Sequence, residues 1–440
     1  MLAYMLDIMP LSLSQILVPT ILLALIVWAV FWPNHVYLVD FVCYRPPDNL
    51  RVTASNYIEH FEVLGGFDVS GVEFQRKVLE RSGISDEACM PLGVHELPVD
   101  GSLDRTRQEI ELVFFQVVED LLTRQRIRPK DIDIVVSNCS LFCPTPSITS
   151  MIMNRFGFRS NVKSVSLSGM GCSAGILAIS LARDLLKVNK NSTALVLSME
   201  AVNPNGYLGK AKSMLLANTL FRMGGAAILL SNRKQDRQRA KYRLQHVVRV
   251  HTGWDDTAYG SVFQDHDDDG YIGVALSKAL VRVAGAALKM NVSKLGLLVL
   301  PYSEQIRYVR SMILRRWTDG RAVVPNFRKA FEHFCIHAGG RAVVDAVAGN
   351  LCLDQDNTEA SRMTLYRFGN TSSSSVWYEL AYLEAKGKVR KGDRVWQIAF
   401  GSGFKCNSAV WKRISEADPY VENAWSDRIH RYPVEVPSLS

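Results

Sequence analysis

Short apolar runs separated by polar or glycine-rich turns recur along most of the chain and predict buried strands. Between these runs, longer segments carry apolar residues at helical spacing, so strands and helices alternate and the fold class is α/β. The predicted strands are Asp131–Ser137, Ala194–Leu197, Gly225–Leu230, Leu295–Leu300, the run that ends in Phe334–Ile336, and Val395–Ala399.

One pattern of glycine turn and buried helix occurs twice. In Ser166–Ala182 an alternating strand stops at two glycines, Cys172 follows, and an uncharged helix begins. In Tyr366–Ala385 a glycine is followed by Asn370, a run of serines and another helix. Because each helix is followed by a polar turn and a buried strand, we interpret the chain as an internally duplicated α/β protein.

The N-terminal part, residues 1–50, differs in composition and is interpreted as a membrane anchor followed by an interfacial segment. Leu11–Trp32 contains no charged residue and is long enough to cross a bilayer. A cleaved signal peptide is the alternative, but the sequence lacks the basic start that it would need. Arg45 and Arg51 follow the apolar stretch and favour a cytosolic body by the positive-inside rule. His35–Tyr44 is too short to span, and we expect it at the membrane interface or packed on the body.

The body divides into two halves at the basic turn Asn232–Arg243, which gives domains 51–234 and 235–440. In the second half, Gln305–Asp319 has apolar residues at helical spacing among arginines. We expect an ordinary surface helix packed on the core, and a helix that rests on a membrane surface is the alternative. The apolar positions are Ile306, Val309, Ile313 and Trp317, and the arginines are Arg307, Arg310, Arg315 and Arg316.

Composition and charge narrow the possible partners. Of 440 residues, 48% are hydrophobic and 21% charged, which is typical of an ordered globular protein. The net charge of +8 is spread along the chain and suits an anionic membrane surface or a phosphorylated substrate. No basic motif with interleaved aromatic residues occurs, so no nucleic-acid partner is expected. The eight cysteines are too sparse for a disulfide framework.

No metal site is expected from the sequence. Cys139 and Cys143 have no histidine nearby to complete a zinc site. Asp265–Gly270 imitates the start of a calcium loop, but Leu276 occupies the position where a bidentate Glu is required.

Cys172 is the candidate nucleophile. At the start of a helix, unpaired N–H groups and the helix dipole favour a thiolate over a thiol. Gly171–Gly175 also matches the Gly-x-Ser-x-Gly elbow of α/β-hydrolases, which makes Ser173 the alternative nucleophile. Cysteine is preferred because it is the stronger nucleophile at neutral pH, and an inert buried cysteine remains the other alternative.

Three more polar residues stand at comparable positions. His337 ends an apolar strand and precedes two glycines, where backbone can approach a ligand, although a core histidine is the alternative. His333 lies on the same face of that strand and either supports His337 or fills the core. Asn370 begins a helix, where Asn is also a favoured N-cap.

These stretches resemble the plant 3-ketoacyl-CoA synthases, the condensing enzymes of very-long-chain fatty acid elongation, which belong to the thiolase-fold group. The resemblance runs, in order, through nearly all of the chain after the apolar N-terminal segment. The stretches that carry it are Pro129–Ile134, Asn138–Phe142, Pro144–Ser147, Gly169–Gly175, Leu220–Ala227, His333–Ala342 and Arg367–Ser375.

The resemblance implies a thiolase-like duplicated αβαβα architecture and a Cys-His-Asn site carried by Cys172, His337 and Asn370. It also implies supporting roles for His251 and His333, which match family histidines. A long-chain acyl-CoA would be condensed with malonyl-CoA through an acyl-cysteine, with loss of carbon dioxide and with no metal or further cofactor. Two positions depart from the family, since Tyr366 replaces a usual histidine and Ser168 a glycine.

Further expectations follow from the resemblance. The oxyanion would be held by the backbone N–H of Cys172 and by the turn Gly401, Ser402 and Gly403. The expected partners are membrane lipid, a second copy in a homodimer and other elongase subunits. The expected location is the endoplasmic reticulum membrane, with the catalytic body in the cytosol. A non-catalytic lipid-binding or scaffold subunit is the alternative to an enzyme.

Overall fold

Strands of the body are short and mostly buried, as their apolar runs predict. The computed structural model describes residues 17–22, 35–64, 69–315, 324–416 and 422–436. Its strands are β1 (Tyr37–Cys43), β2 (Ile134–Asn138), β3 (Lys163–Leu167), β4 (Thr193–Met199), β5 (Gly225–Ser231), β6 (Tyr242–His251), β7 (Val262–His266), β8 (Ile272–Leu276), β9 (His333–Ile336), β10 (Arg394–Gly401) and β11 (Lys405–Arg413).

The helices of the body range in length from four to 23 residues. They are α1 (Ala54–Leu64), α2 (Val69–Ser82), α3 (Leu103–Gln125), α4 (Ile148–Phe156), α5 (Ala174–Val188), α6 (Lys212–Leu220), α7 (Asp256–Tyr259), α8 (Leu280–Val299), α9 (Tyr302–Arg315), α10 (Arg341–Leu351), α11 (Gln355–Phe368) and α12 (Ser375–Ala385).

Nine of the strands form one sheet in the order β3-β2-β4-β5-β1-β6-β11-β10-β9, and β7 and β8 form a separate hairpin. The two ends of the sheet are built alike. β2 is parallel to β4, which is antiparallel to β5; likewise β9 is parallel to β10, which is antiparallel to β11. β1 and β6 join the two halves at the centre. The topology confirms the internal duplication.

Helices α5 and α12 lie between the two halves and share one hydrophobic core with one face of both. On the other face, α3 covers the first half and α8 the second. In β2, Ile134 and Val136 pack in the shared core, whereas Val135 packs with α3, because side chains alternate along a strand. The result is a stack of helix, first half of the sheet, helix pair, second half of the sheet and helix.

The N-terminal segment separates into two parts. Residues 1–35 form a unit of their own, of which residues 17–22 and residue 35 are described, and residues 17–22 are helical. The predicted membrane span Leu11–Trp32, apart from residues 17–22, therefore lies outside the described residues. Among the residues that are described, no helix has the length and hydropathy needed to cross a bilayer. His35–Tyr44, in contrast, contributes β1, a fully buried strand at the centre of the sheet.

Two predictions about the second half were wrong. Leu295–Leu300, predicted as a strand, belongs almost entirely to α8, because a short apolar run does not distinguish a strand from a buried helix. The predicted helix around Gln305 exists as α9 as far as Arg315, but three of its predicted apolar positions do not pack on the core. Ile306, Val309 and Ile313 are 66%, 55% and 57% exposed. Residue 317, the fourth predicted apolar position, lies outside the described residues.

Candidate active site

Cys172, His337 and Asn370 line the same cavity, which has a volume of about 320 Å³. Cys172 lies in the tight turn that leads into α5, His337 directly follows β9, and Asn370 lies in the turn between α11 and α12. The duplicated fold thus brings together one residue of the first half and two of the second. Their chemical roles stay predictions at this point.

A close backbone contact at Gly175 holds the cysteine turn against the asparagine turn. A Cβ at Gly175 would lie 2.3 Å from the carbonyl oxygen of Ser373, so only glycine fits there. Beside this contact, the Ser198 hydroxyl donates to the Ser373 hydroxyl at 2.9 Å. The start of α5 and the turn after Asn370 are therefore packed backbone to backbone.

Asn370 is fixed through both its backbone and its carboxamide. Its N–H donates to the Leu220 carbonyl at 3.1 Å, and its own carbonyl accepts from the Arg222 N–H at 2.9 Å. The side-chain Oδ1 accepts from the Ser372 N–H at 2.8 Å, and Nδ2 donates to the Gly339 carbonyl at 3.2 Å. An amide nitrogen has two hydrogens, so one remains available to a ligand in the cavity. The carboxamide thus also caps the short turn that follows it.

His337 is a buried, neutral imidazole. Only 3% of its surface is exposed, and burial lowers the pKa of the ring to about 4. Its backbone N–H donates to the Ile398 carbonyl at 2.9 Å, while Nδ1 has no hydrogen-bond partner among the described residues. A Cβ at Gly339 would lie 3.0 Å from Nε2, so the glycine leaves room for the ring. At neutral pH the residue offers one N–H donor and no charge.

Burial at Cys172 opposes the thiolate that the sequence led us to expect. Burial raises the pKa of the Cys172 thiol to about 12, against the opposing hydrogen bonds from the Ser372 side chain and from its own backbone N–H. The nearby carboxyl of Glu200 adds to the rise. The helix dipole, which the sequence predicts, lowers the pKa of the thiol, but desolvation raises that pKa by more.

Glu200 and Ser372 are cavity residues that the sequence analysis missed. Glu200 follows β4, is 5% exposed, and accepts from the N–H groups of Ser140 and Leu141 at 2.7 and 2.8 Å. The Ser372 hydroxyl donates to its other oxygen at 3.4 Å. Burial raises the pKa of the Glu200 carboxyl. The available signal was an acid placed directly after an apolar strand.

The two supporting histidines do not line the cavity. His333 Nε2 lies 2.9 Å from a carboxylate oxygen of Asp393, at the opposite end of β9 from His337. His251 lies beside the cavity-lining turn, since a Cβ at Gly403 would come within 3.6 Å of its Nε2. Partial burial, followed by the charges of Lys405 and Arg249, lowers the pKa of His251.

Tyr366 and Ser173 also lie away from the cavity. Tyr366, which departs from the family pattern, packs on Tyr432 with ring centroids 6.4 Å apart, next to the shared core. Ser173 is fully buried, and its hydroxyl has no hydrogen-bond partner among the described residues. The Ser173 hydroxyl sits against Gly401, where a Cβ would approach it to 2.4 Å. The geometry therefore does not favour the hydrolase alternative.

The predicted oxyanion turn borders the nucleophile. Gly401, Ser402 and Gly403 all line the cavity. The backbone nitrogen of Ser402 lies 2.6 Å from the position of a Cβ on Gly171, the residue before Cys172. Within the described chain, no group of three or more His, Cys, Asp or Glu side chains is arranged to hold a metal ion.

An apolar wall from the second half lines a large part of the cavity. It is built by the β7–β8 hairpin, the start of α8 and one side of α10. The side chains that line it are mainly aliphatic or aromatic, which suits a hydrocarbon chain. They include Phe263, Val274, Leu276, Leu280, Ala284, Leu288, Val343 and Val347.

Solved structures with the same fold are bacterial and fungal type III polyketide synthases. The tetrahydroxynaphthalene synthase of Streptomyces coelicolor superposes with a TM-score of 0.68 at 19% identity, covering 86% of this chain and 99% of that one. A type III pentaketide synthase from Neurospora crassa gives 0.64 at 19% identity, over 86% and 99% of the two chains. The protein therefore has the mixed α/β, thiolase-like fold.

Two family models match consecutive parts of the sequence. Residues 29–317 match the FAE1/type III polyketide synthase-like protein family. Residues 328–413 match the C-terminal part of 3-oxoacyl-[acyl-carrier-protein] synthase III. The boundary between the matches falls just before β9, the strand that His337 follows.

Curated relatives carry a more specific name. 3-Ketoacyl-CoA synthase 7 of Arabidopsis thaliana is 61% identical over 94% of this chain and 90% of its own length. 3-Ketoacyl-CoA synthase 5 of the same plant is 52% identical over 92% of this chain and 83% of its own. At this identity and coverage, the chain belongs to the 3-ketoacyl-CoA synthases, the condensing enzymes of very-long-chain fatty acid elongation.

Proposed function

We propose that this protein condenses a long-chain acyl-CoA with malonyl-CoA to give a 3-ketoacyl-CoA and carbon dioxide. The observation that carries the proposal is the single cavity that combines Cys172, His337 and Asn370 with an apolar wall. A nucleophile, two neutral hydrogen-bond donors and a hydrocarbon site are the parts that a decarboxylating condensation needs.

In the first step Cys172 Sγ attacks the acyl-CoA thioester carbon. The bond to the CoA sulfur breaks, and the thiol proton passes to the leaving CoA sulfur, so no free thiolate has to accumulate. This agrees with a resting thiol whose pKa burial raises to about 12. The oxyanion accepts hydrogen bonds from the Cys172 N–H and the Gly401–Gly403 turn.

In the second step the malonyl thioester oxygen accepts hydrogen bonds from His337 and from the free Nδ2 hydrogen of Asn370. The carboxylate leaves as carbon dioxide, and its electron pair forms an enolate that these two donors stabilise. The enolate carbon attacks the acyl-Cys172 carbon, the thioester bond breaks, and the sulfur takes up a proton.

We further propose that residues 11–32 anchor the enzyme in the endoplasmic reticulum membrane with the body in the cytosol, and that other elongase subunits bind there. A homodimer is supported by β3, which lies at the end of the sheet with Lys163, Ser164 and Ser166 exposed. An edge strand of this kind offers unpaired backbone groups to a second copy.

Separate assays of the two partial reactions test the assignment. Cys172→Ala should abolish transfer of a labelled acyl group to the protein. Asn370→Ala should leave that transfer intact but slow decarboxylation of malonyl-CoA by about a hundredfold or more, as loss of an oxyanion donor does elsewhere. Ser173→Ala is the control and should leave both reactions unchanged. Equal loss of both reactions in Asn370→Ala would contradict the role of Asn370, and loss only in Ser173→Ala would favour a hydrolase.

A further inference from the structure

Helix α9 turns its carboxylate inward and the side chains of Ile306, Val309 and Ile313 outward. Glu304 is 2% exposed and accepts hydrogen bonds from Lys329 Nζ and Arg307 at 2.6 Å each, and from the Asn326 N–H at 3.2 Å. The hydrogen bond from Lys329 lowers the pKa of the Glu304 carboxyl, which therefore stays ionised. The helix is thus fixed to the body by a polar contact on the side where a surface helix normally places its apolar face.

The outer stripe of α9 consists of Tyr302, Ile306, Val309 and Ile313, whose spacing places them on one side of the helix. They are 83%, 66%, 55% and 57% exposed. The last turn of α8 adds two exposed leucines directly before α9, since Leu297 is 73% and Leu298 53% exposed. The four stripe residues line one shallow groove, and a contiguous exposed apolar surface marks a binding site more often than scattered exposure does.

Basic residues accompany the outer stripe. Arg310 borders the same shallow groove as Ile306 and Ile313, and the Arg307 side chain is half exposed. Glu304 is the only acidic residue in Tyr302–Arg315, and it is buried. An apolar stripe flanked by guanidinium groups, without an exposed acid, complements the acyl region and phosphates of an anionic bilayer.

Two protein occupants fit this surface less well. A second copy bound through the same face would bring the arginines of both copies together, and like charges across an interface are unfavourable. The apolar segment 11–32 of the same chain contains no acidic residue that could pair with Arg307 or Arg310.

We propose that the outer stripe of α9 docks on the surface of an anionic phospholipid bilayer. The apolar side chains enter the acyl region, and Arg307 and Arg310 contact lipid phosphates. This contact is separate from the predicted span at residues 11–32, and it does not depend on the chemistry at Cys172.

Photocrosslinking of the full-length protein in vesicles tests the contact directly. Benzoylphenylalanine replaces Ile306, and vesicles contain phosphatidylcholine with or without phosphatidylserine. We expect lipid adducts at this position that increase with phosphatidylserine. A probe at Val188, which is 78% exposed on α5, is the control and should form none. Crosslinks from position 306 to a second chain, to another segment of the same chain, or to nothing would overturn the proposal.

An arginine variant tests the electrostatic part. Arg310→Gln should reduce the phosphatidylserine-dependent adduct by about fivefold, since one basic residue near an anionic surface contributes about 1 kcal/mol. Arg237→Gln removes an exposed arginine elsewhere and should have no effect. Malonyl-CoA decarboxylation should be unchanged in both variants, which separates a lost lipid contact from misfolding and from failure of the catalytic proposal. An adduct yield unaffected by Arg310→Gln would contradict the electrostatic contact.

Discussion

The protonation states of His337 and Cys172 are set by burial. Both groups are held in their neutral forms, since burial lowers the pKa of the imidazole and raises that of the thiol. Charged forms lose hydration in such a site, so the neutral forms of both the imidazole and the thiol are favoured. The neutral imidazole can therefore donate the N–H hydrogen bond that the proposed mechanism needs over most of the physiological pH range.

The pH dependence of decarboxylation checks the state of His337. Because burial lowers the pKa of its ring from the ordinary 6.5 to about 4, the ring stays neutral as pH falls through 6. Malonyl-CoA decarboxylation by the wild-type protein should therefore change by less than about twofold between about pH 8 and about pH 5.5, whereas an ordinary histidine would lose about tenfold of its neutral form. A tenfold change in rate that disappears in His337→Gln would show that the ring titrates in this range.

Sequence reasoning found the reacting side chains but not their surroundings. Cys172, His337 and Asn370 stand out because each sits beside glycine at the end of a predicted strand or the start of a helix. Glu200 and Ser372 lack such a signal, since their proximity to the thiol arises only from contacts between distant segments. The helix dipole could be inferred from the sequence, but the desolvation that opposes it depends on the folded cavity.

The two repeated units meet where α5 and the turn before α12 are in backbone contact. A tight turn leads into a buried helix in both units; Cys172 lies within the first turn, and Asn370 lies just before the second. Gly175 is the residue of α5 that permits the contact, because a Cβ there would lie 2.3 Å from the Ser373 carbonyl oxygen. The spacing between Cys172 and Asn370 therefore depends on the absence of one methyl group.

Gly175→Ala should destabilise the protein by about 1 to about 3 kcal/mol, because backbone atoms must move to admit the methyl group. It should also slow acyl transfer, since the cysteine turn shifts with α5. Gly349→Ala is the matched control, as a Cβ on this exposed glycine of α10 would meet nothing within 4 Å. That variant should be neutral or stabilised by up to about 1 kcal/mol. Thermal unfolding midpoints compare the two, and an equal midpoint in both variants would contradict the close contact.

Strands and helices could be predicted from the sequence where a hydrophobic pattern fits only one type of secondary structure. The strands β2, β4, β5, β9 and β10 were found because buried apolar runs ended at polar turns. Leu295–Leu300 was misassigned because the same run fits a buried helix. The spacing of α9 was correct, yet its orientation was wrong, because Lys329, from a later segment, draws Glu304 inward. Periodicity defines the faces of a helix, and long-range contacts decide which face is buried.

Across the whole molecule, duplication gives the two halves different tasks on one scaffold. The first half supplies the nucleophile turn and Glu200. The second supplies His337, Asn370 and the apolar wall formed by the β7–β8 hairpin, α8 and α10. The duplication followed from the repeated unit, whereas the strand order and the wall were not identified, because the segments that form the wall have no shared pattern in the sequence. The length of acyl chain that the enzyme accepts is expected to depend on this wall.

Gly285 is the position at which this dependence can be measured. It lines the cavity from α8, and a Cβ there would meet nothing within 4 Å, so a larger side chain would occupy the space proposed for the acyl group. Gly285→Leu should reduce condensation of the longest acyl-CoA by about tenfold or more relative to a shorter one, as a few methylenes in an apolar pocket can. Malonyl-CoA decarboxylation should be unchanged, since the proposed decarboxylation uses His337 and Asn370 and no side chain of the wall. Gly349→Leu is the control, because Gly349 is an exposed helix glycine outside the cavity. This variant measures how a leucine in a helix affects the protein without changing the cavity. The measurement is the distribution of 3-ketoacyl-CoA chain lengths that wild type and each variant produce from a mixture of acyl-CoA substrates. An unchanged distribution in Gly285→Leu would show that the acyl chain binds elsewhere.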